Sequence, residues 1–489
     1  MRAGRWWVWG FGGWCALLQA APAAPVGPAH PVLPPPVQQA LADLAVPDTA
    51  LSVLVMPKAG GPVRLAWAAD VPRVPASTMK TVATLVALEQ LGPVHRWRTD
   101  FLAEQPPADG VLRGPLYVRG DGAPDFPYER LHAALRELRQ QGVHTLAGDL
   151  VLDRRAFQPA RPELGAPAFD ESPEVYYNVI PDALLLHGNM VFLSLRSTQQ
   201  GLQVRTSPPM HGLQVDVSGL ALRDGDCGGW GETWQAPLVE ETASAIVLRL
   251  RGSFPRDCNA EAQTNAVERN RYWGAVLRAL WAELGGRWEG QVRDGAVPPG
   301  ASVLVARRSD TLADIVKRVN KPSDNAMARL LYLTLGAQAL QGREGDTREA
   351  AQAVVRDWFQ RHGITTDGLV VDNGSGLSRS ERLSARQLAL LLRAGAASDW
   401  APEFETSLPI AGVDGTMRRR LRETPAAVRA RVKTGTLADA VGVAGYVRDL
   451  ARQEWIVVAL LNDPIGARGR PVLDALLQWV VQQPLRPLP

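Results

Sequence analysis

Cysteine, histidine, long apolar runs and an excess of charge are all scarce in this 489-residue chain, and each scarcity closes off a class of protein. The seven histidines are scattered, with no His-Glu-x-x-His spacing, so the pattern of a zinc peptidase is missing. Neither a metal nor a cofactor is expected. Past the first residues no continuous apolar run is long enough to cross a bilayer. The end of the chain, Gln482-Gln483-Pro484-Leu485-Arg486-Pro487-Leu488-Pro489, is broken by proline and cannot form an amphipathic anchor. With 53 basic and 50 acidic residues, nothing points to nucleic acid. No internal repeat is found. What is present, 46% hydrophobic and 21% charged residues, fits an ordered globular protein long enough for more than one domain.

The first 24 residues stand apart. Arg2 and Arg5 precede the apolar run from Trp6 to Leu18, and Ala20-Ala21-Pro22-Ala23-Ala24 supplies small residues for cleavage. This is the pattern of a secretory signal peptide, too short and wrongly flanked for a membrane span. Three glycines and four tryptophans in the run argue against a buried helix. Cleavage near Ala20 to Ala24 discards Cys15 and leaves 51 basic against 50 acidic residues. Trp14 directly before Cys15 speaks against lipidation. The mature chain is therefore expected outside the cytoplasm. There its two cysteines, Cys227 and Cys258, are expected to form a disulfide.

Hydrophobic periodicity divides the mature chain. Leu51 to Met56 and Val63 to Trp67 read as a hairpin around Gly60-Gly61. A helix follows from Pro75-Ala76-Ser77 to Gly92-Pro93, with Val82, Leu85, Val86 and Leu88 at helical spacing. From about Arg96 short strand-like runs dominate, interrupted by one helix from Tyr128 to Gly142. Helices return at Tyr272 to Leu284, at Thr311 to Val319 with Ser309 or Asp310 as cap, at Ala326 to Leu335 and at Ser384 to Ala394. The strand pair Val441 to Val447 and Trp455 to Leu461 precedes a last helix near Leu473 to Val481. Strands at both ends around central helices predict an antiparallel sheet closed by the first and last parts of the chain.

Three short strings carry the chemistry. Ser77 and Lys80 in Ser77-Thr78-Met79-Lys80 stand one turn apart at a helix start. Alone they read as a cap and a solvated lysine. Together they can be a nucleophile and its base, if burial and nearby cations lower the amine's pKa. Ser323-Asp324-Asn325 follows Pro322 at a loop-to-helix junction. Ser323 could relay a proton, Asn325 could hold a peptide backbone and the lysine network, and Asp324 would serve the turn. Lys433-Thr434-Gly435-Thr436 lies in a strand-like segment at a sheet edge. Gly435 would let a substrate backbone come close, and Lys433 and Thr434 could bind a carboxylate. The N–H groups of Thr436 and Ser77 could form an oxyanion hole. The run Arg418-Arg419-Arg420 with Arg422 reads as a solvated basic face.

In this order the trio resembles the motif set of penicillin-binding proteins and β-lactamases. The flanking sequence narrows it. The segments His95 to Thr99, Gly114 to Gly122, Gly148 to Asp153, Val371 to Arg379, Gly412 to Met417 and Lys433 to Tyr446 resemble the S13 family of D-alanyl-D-alanine carboxypeptidases/endopeptidases, the DacB or penicillin-binding-protein-4 type. Ala123-Pro124-Asp125 departs from the family pattern, inside the insert. The resemblance implies an α/β (α+β) penicillin-recognising, serine transpeptidase-like domain, with an antiparallel sheet flanked by helices and a large, mainly β insert. The expected division is a signal peptide at 1–24, a peptidase domain at 25–95 and 266–489, and an insert at 96–265, itself split near 160 into two nested domains.

It also implies a periplasmic enzyme that cleaves peptidoglycan stem peptides and cross-links through a Ser77 acyl-enzyme and is acylated by β-lactams. Lys433, Thr434 and Thr436 would bind the terminal carboxylate. Asp153, Arg379 and Leu437 are the positions matching the family's pocket for the diaminopimelate side chain. Two other readings stay open: a serine β-lactamase-like hydrolase, against which no separate deacylating glutamate is found, and a non-catalytic wall-binding protein that retains the motifs.

Overall fold

The computed structural model describes residues 32–161, 169–242 and 245–482. The segment read as a signal peptide lies outside them. The first and last parts of the chain form a five-stranded antiparallel sheet, in the order Ala430–Leu437, Ala440–Arg448, Glu454–Asn462, Leu51–Pro57 and Leu65–Trp67. Its central strands are apolar at nearly every position because both faces are covered. Leu54, Met56, Tyr446, Ile456, Val458 and Leu460 point into one core with the central helices. Val53, Val55, Val443, Val457 and Ala459 alternate with them into a second core, closed by helices Pro35–Asp43 and Arg470–Gln482.

On the first face the helix Lys80–Leu91 is buried along almost its whole length and is surrounded by Leu312–Asn320, Asn325–Leu340 and Ala385–Ala397. The cap of Leu312–Asn320 is Thr311, whose side chain accepts from Asp314 N, and not Ser309 or Asp310. Ser309 instead accepts from Trp97 N and anchors the chain's exit from the insert. Ser384 caps its helix in a capping box with Gln387.

The insert has its own sheet, ordered Val292–Asp294, Leu150–Asp153, Leu116–Gly120, Arg98–Ala103 and Ser302–Arg308. Three three-stranded sheets accompany it among the described residues. One apolar cluster joins Phe101, Val118 and Leu152 to Leu193, Leu248 and Phe254, so the two halves expected to be separate domains share a core. Residues 269–308, assigned from sequence to the peptidase part, belong with this body. The helix Arg269–Glu283 buries Tyr272, Trp273, Leu277 and Trp281 in the same cluster, and two strands of the tract complete the sheet. Packing thus moves the insert's second boundary from 265 to about 308. The Cys227–Cys258 disulfide is formed within the insert.

Candidate active site

The position of Ser77 is set by how closely its turn approaches the sheet. Ala76 has a positive φ of 46°, and a 3₁₀ turn, Ala76–Met79, leads into the helix that begins at Lys80. This turn lies on the paired glycines Gly435 and Gly442. A Cβ on Gly435 would stand 2.8 Å from Pro75 O and 2.9 Å from Ser77 N; one on Gly442 would meet Leu460 and Thr78. From the other side, a Cβ on Gly376 would fall 1.9 Å from Ala76 O. Gly435 therefore admits the nucleophile's own backbone, a role distinct from the substrate clearance expected of it. Ser77 is held between two strands of chain that could not carry side chains there.

One turn on, Lys80 is fully buried. Its Nζ lies 2.9 Å from Ser77 Oγ, 2.6 Å from Asn325 Oδ1 and within hydrogen-bond reach of Ser375 O. Asn325 is oriented by its other atom: Nδ2 donates to Tyr177 O at 3.0 Å, which leaves Oδ1 facing the amine. Burial lowers the Lys80 pKa to about 7, against the opposing pull of the Asp324 and Glu381 carboxylates. Two of the three neighbours can only accept. A neutral amine has two N–H groups for them and one lone pair for the Ser77 hydroxyl. The arrangement can therefore accommodate a neutral Lys80 with its lone pair toward Ser77.

The Ser375 carbonyl is fixed by a loop whose polar groups bond one another. Glu381, buried, accepts through Oε1 from the N–H groups of Asp372, Asn373 and Gly374 at 3.2, 3.1 and 2.9 Å. Burial raises its pKa, and those N–H groups hold it down in part. Asn373 Oδ1 accepts from Ser375 N and Oγ. That the turn from Asn373 to Gly376 supplies a hydrogen-bond acceptor to Lys80 was not legible in the sequence. The visible signal was only the proximity of turn-forming residues.

Ser323 adopts a left-handed conformation, φ 68°, which turns the chain into the helix at Asn325. Asp324 caps that helix through Met327 N and accepts from Tyr176 OH at 2.6 Å, the structural role expected for it. Ser323 Oγ accepts from Lys433 Nζ at 2.9 Å, and Lys433 also donates to Thr434 O at 2.7 Å. Lys433 is fully buried, and burial together with the Lys80 charge drives its pKa well below the lysine norm. All three motifs therefore meet: Ser77, Lys80 and Asn325 in one cluster, Ser323 and Lys433 in the next.

The Lys433 strand is the edge of the sheet, as its sequence suggested. Thr434 and Thr436 face a cavity of about 490 Å³ shared with Ser77, Ser323, Thr416 and arginines 418, 419, 420 and 470. The basic run read as a solvated face is thus part of the cleft wall. The turn Gly415–Met417 carries it. Thr416 N donates to Lys321 O at 3.0 Å, and Thr416 Oγ1 lies 2.7 Å from Thr434 Oγ1.

A second cavity of about 560 Å³ contains Arg379, Asn373 and Ser378, with Asn178 from the insert. Arg379 Nη2 donates to Phe169 O at 2.7 Å and its guanidinium stacks on the Phe169 ring. Asp153 is not there. It lies in the insert's sheet, gripped by Arg155 at 2.8 Å and by Val297 N at 2.9 Å, and lines a different cavity. Leu437 ends the edge strand opposite Ala440 and lines neither catalytic cavity. Asp372 lines that cavity with Arg379, and a second carboxylate near Arg379, outside the lining, is Asp170. Burial alone would raise its pKa, but Tyr177, Ser172, Asn178 and the Arg379 charge hold it below the usual value. The same Tyr177 gives its carbonyl to Asn325, so the insert contributes to the Lys80 cluster.

The family described as D-Ala-D-Ala carboxypeptidase 3 (S13) matches residues 35–483. A D-alanyl-D-alanine carboxypeptidase of Actinomadura sp. (strain R39) is 28% identical over 434 residues, 84% of this chain and 76% of that protein. The D-alanyl-D-alanine carboxypeptidase DacB of Haemophilus influenzae is 25% identical over 396 residues, 79% of this chain and 80% of its own. The crystal structure of penicillin binding protein 4 (dacB) from Haemophilus influenzae superposes with a TM-score of 0.73 at 22% identity, covering 90% of this chain and 99% of that one, and so shares the fold. No helix among the described residues is long and apolar enough to cross a membrane. The chain belongs to the D-Ala-D-Ala carboxypeptidase 3 (S13) family and is a serine-type D,D-peptidase acting on peptidoglycan.

Proposed function

We propose that Ser77 is the nucleophile and Lys80 its base, in a two-step acyl transfer. The observation that carries this is the Lys80 environment: full burial, two obligate acceptors and one hydroxyl, with a pKa of about 7. Ser77 Oγ bonds to the penultimate D-alanine carbonyl carbon as its proton passes to Lys80. The N–H groups of Ser77 and Thr436 receive the oxyanion. The C–N bond then breaks, and the leaving nitrogen takes a proton relayed by Ser323, whose hydroxyl lines the cavity with Ser77 and accepts from Lys433. Water attacks the ester in the second step and frees Ser77. Lys433, Thr434 and Thr436 hold the carboxylate on the leaving side, and Asn325 aligns the donor backbone.

The donor's third residue falls toward the Arg379 cavity. Arg379 and Asp372, which line it, with Asp170 close to Arg379, are the charged groups for its side chain there in place of Asp153, and Leu437 lines neither cavity. The same Ser77 reacts with β-lactams, whose strained amide offers the equivalent carbonyl; the Haemophilus protein has been crystallised with a β-lactam. The leader at 1–24 delivers the enzyme to the periplasm. Incubation with purified pentapeptide muropeptides tests the reading: mass spectrometry is expected to show loss of one D-alanine, splitting of dimers, or both. Unchanged muropeptides would refute it.

A further inference from the structure

Four arginines and no acidic side chain line the cavity beside Ser77. Asp474 takes Arg420 at 2.6 Å, and Arg470 reaches Thr436 Oγ1 at 3.4 Å. Arg418 and Arg419 are exposed, and among the described residues neither forms an ion pair with a carboxylate. Their backbone is nonetheless fixed. Arg418 N donates to Gly415 O and Arg420 N to Met417 O, while Thr416 binds both Lys321 O and Thr434. Two cations without a carboxylate partner among the described residues are therefore carried on a fixed turn next to the threonines of the edge strand.

Those threonines define the side. In the acyl-transfer reading, on which this inference rests, Thr434 and Thr436 hold the carboxylate that departs with the leaving group. Arg418 and Arg419, reached through Thr416, stand on that side, whereas Arg379 and Asn373 stand in the donor cavity. A free D-alanine leaving group has one carboxylate, already engaged by Lys433 and the threonines. A second stem peptide, released when a cross-link is cut, brings further carboxylates from its acidic residues.

We infer that Arg418 and Arg419 form a docking site for the acidic leaving strand of a cross-linked dimer, and that they bias turnover toward cross-link cleavage over D-alanine trimming. The bond broken is the amide between the donor D-alanine carbonyl and the leaving strand's side-chain amine. That amine takes the relayed proton as the Ser77 ester forms.

The test measures kcat/KM of the mature protein on purified dimeric and monomeric pentapeptide muropeptides. In the double variant R418A/R419A the dimer-to-monomer ratio is expected to fall about tenfold, the order for two solvent-accessible charged contacts. R418E/R419E should lower it further, and R418K/R419K should retain most of it. A dimer with amidated leaving-strand carboxylates should lose the preference in the wild type. An unchanged ratio in both the alanine and glutamate variants would overturn the inference while leaving acyl transfer intact. Failure of the wild type to cleave either substrate would overturn the acyl-transfer reading and the inference with it.

Discussion

Lys80 and Arg419 are both basic side chains beside the Ser77 cleft, placed in opposite surroundings. Lys80 has no exposed surface and every neighbour of its amine is specified: Ser77, Asn325 and the Ser375 carbonyl. Arg419 stands exposed at the mouth of the same cleft with no carboxylate partner among the described residues. Water is the difference. Removing it makes the charged form of Lys80 costly and turns a lysine into a base. Leaving it in place keeps a guanidinium suited to attracting carboxylates, weakly and subject to screening by salt. On the proposed reading, the inner half of the cleft performs chemistry and the outer half sorts what reaches it.

The sharpest way to break this contrast is to remove the inner cation. Lys80→Met keeps the volume and deletes the base; the acylation rate with a fluorescent penicillin should drop by about 10³-fold, the scale of general-base catalysis. A drop under about tenfold would mean that another group deprotonates Ser77. Next comes the loop that presents Ser375 O. Glu381→Ala strips the acceptor from three buried N–H groups and should cost about 3 kcal/mol in urea unfolding, whereas Glu381→Gln keeps an acceptor and should lose far less. Equal losses would show that the carboxylate's charge, not its acceptor, matters.

The pH dependence follows from the Lys80 value of about 7. The neutral amine is the active form, so the acylation rate should rise roughly tenfold per pH unit below 7 and level off above it. A limb still climbing toward pH 10 would mean that burial fails to shift the amine. The smallest effect belongs to the donor cavity. Arg379→Ala should raise KM about fivefold for stem peptides with a charged third residue and leave kcat nearly intact, since Arg379 touches the Phe169 loop and not Ser77.

Legibility in the sequence followed the range of the interactions. The sheet strands, the Ser77 helix, the Ser384 cap and the edge position of Lys433 all rest on local periodicity or capping, and all could be read directly. The insert's second boundary could not. Val292–Asp294 and Ser302–Arg308 join strands some 140 to 200 residues earlier, and nothing in their own composition names those partners. The helix Thr347–Arg361 went unread although Asp346 caps it and Glu349 lies in its first turn. Asp170 was missed because a single aspartate in a polar loop carries no pattern; only its closeness to Arg379 and Tyr177 marks it. A run of arginines looks the same whether it faces bulk water or a cleft, and the turn that decides this is pinned to Lys321, far away in sequence.

Intact-mass spectrometry of the mature protein after exposure to benzylpenicillin tests the central claim most directly. One covalent adduct is expected, mapping to the peptide that contains Ser77 and absent from Ser77→Ala. No adduct on the wild type, or an adduct that survives in Ser77→Ala, would contradict the assignment of Ser77 as the nucleophile.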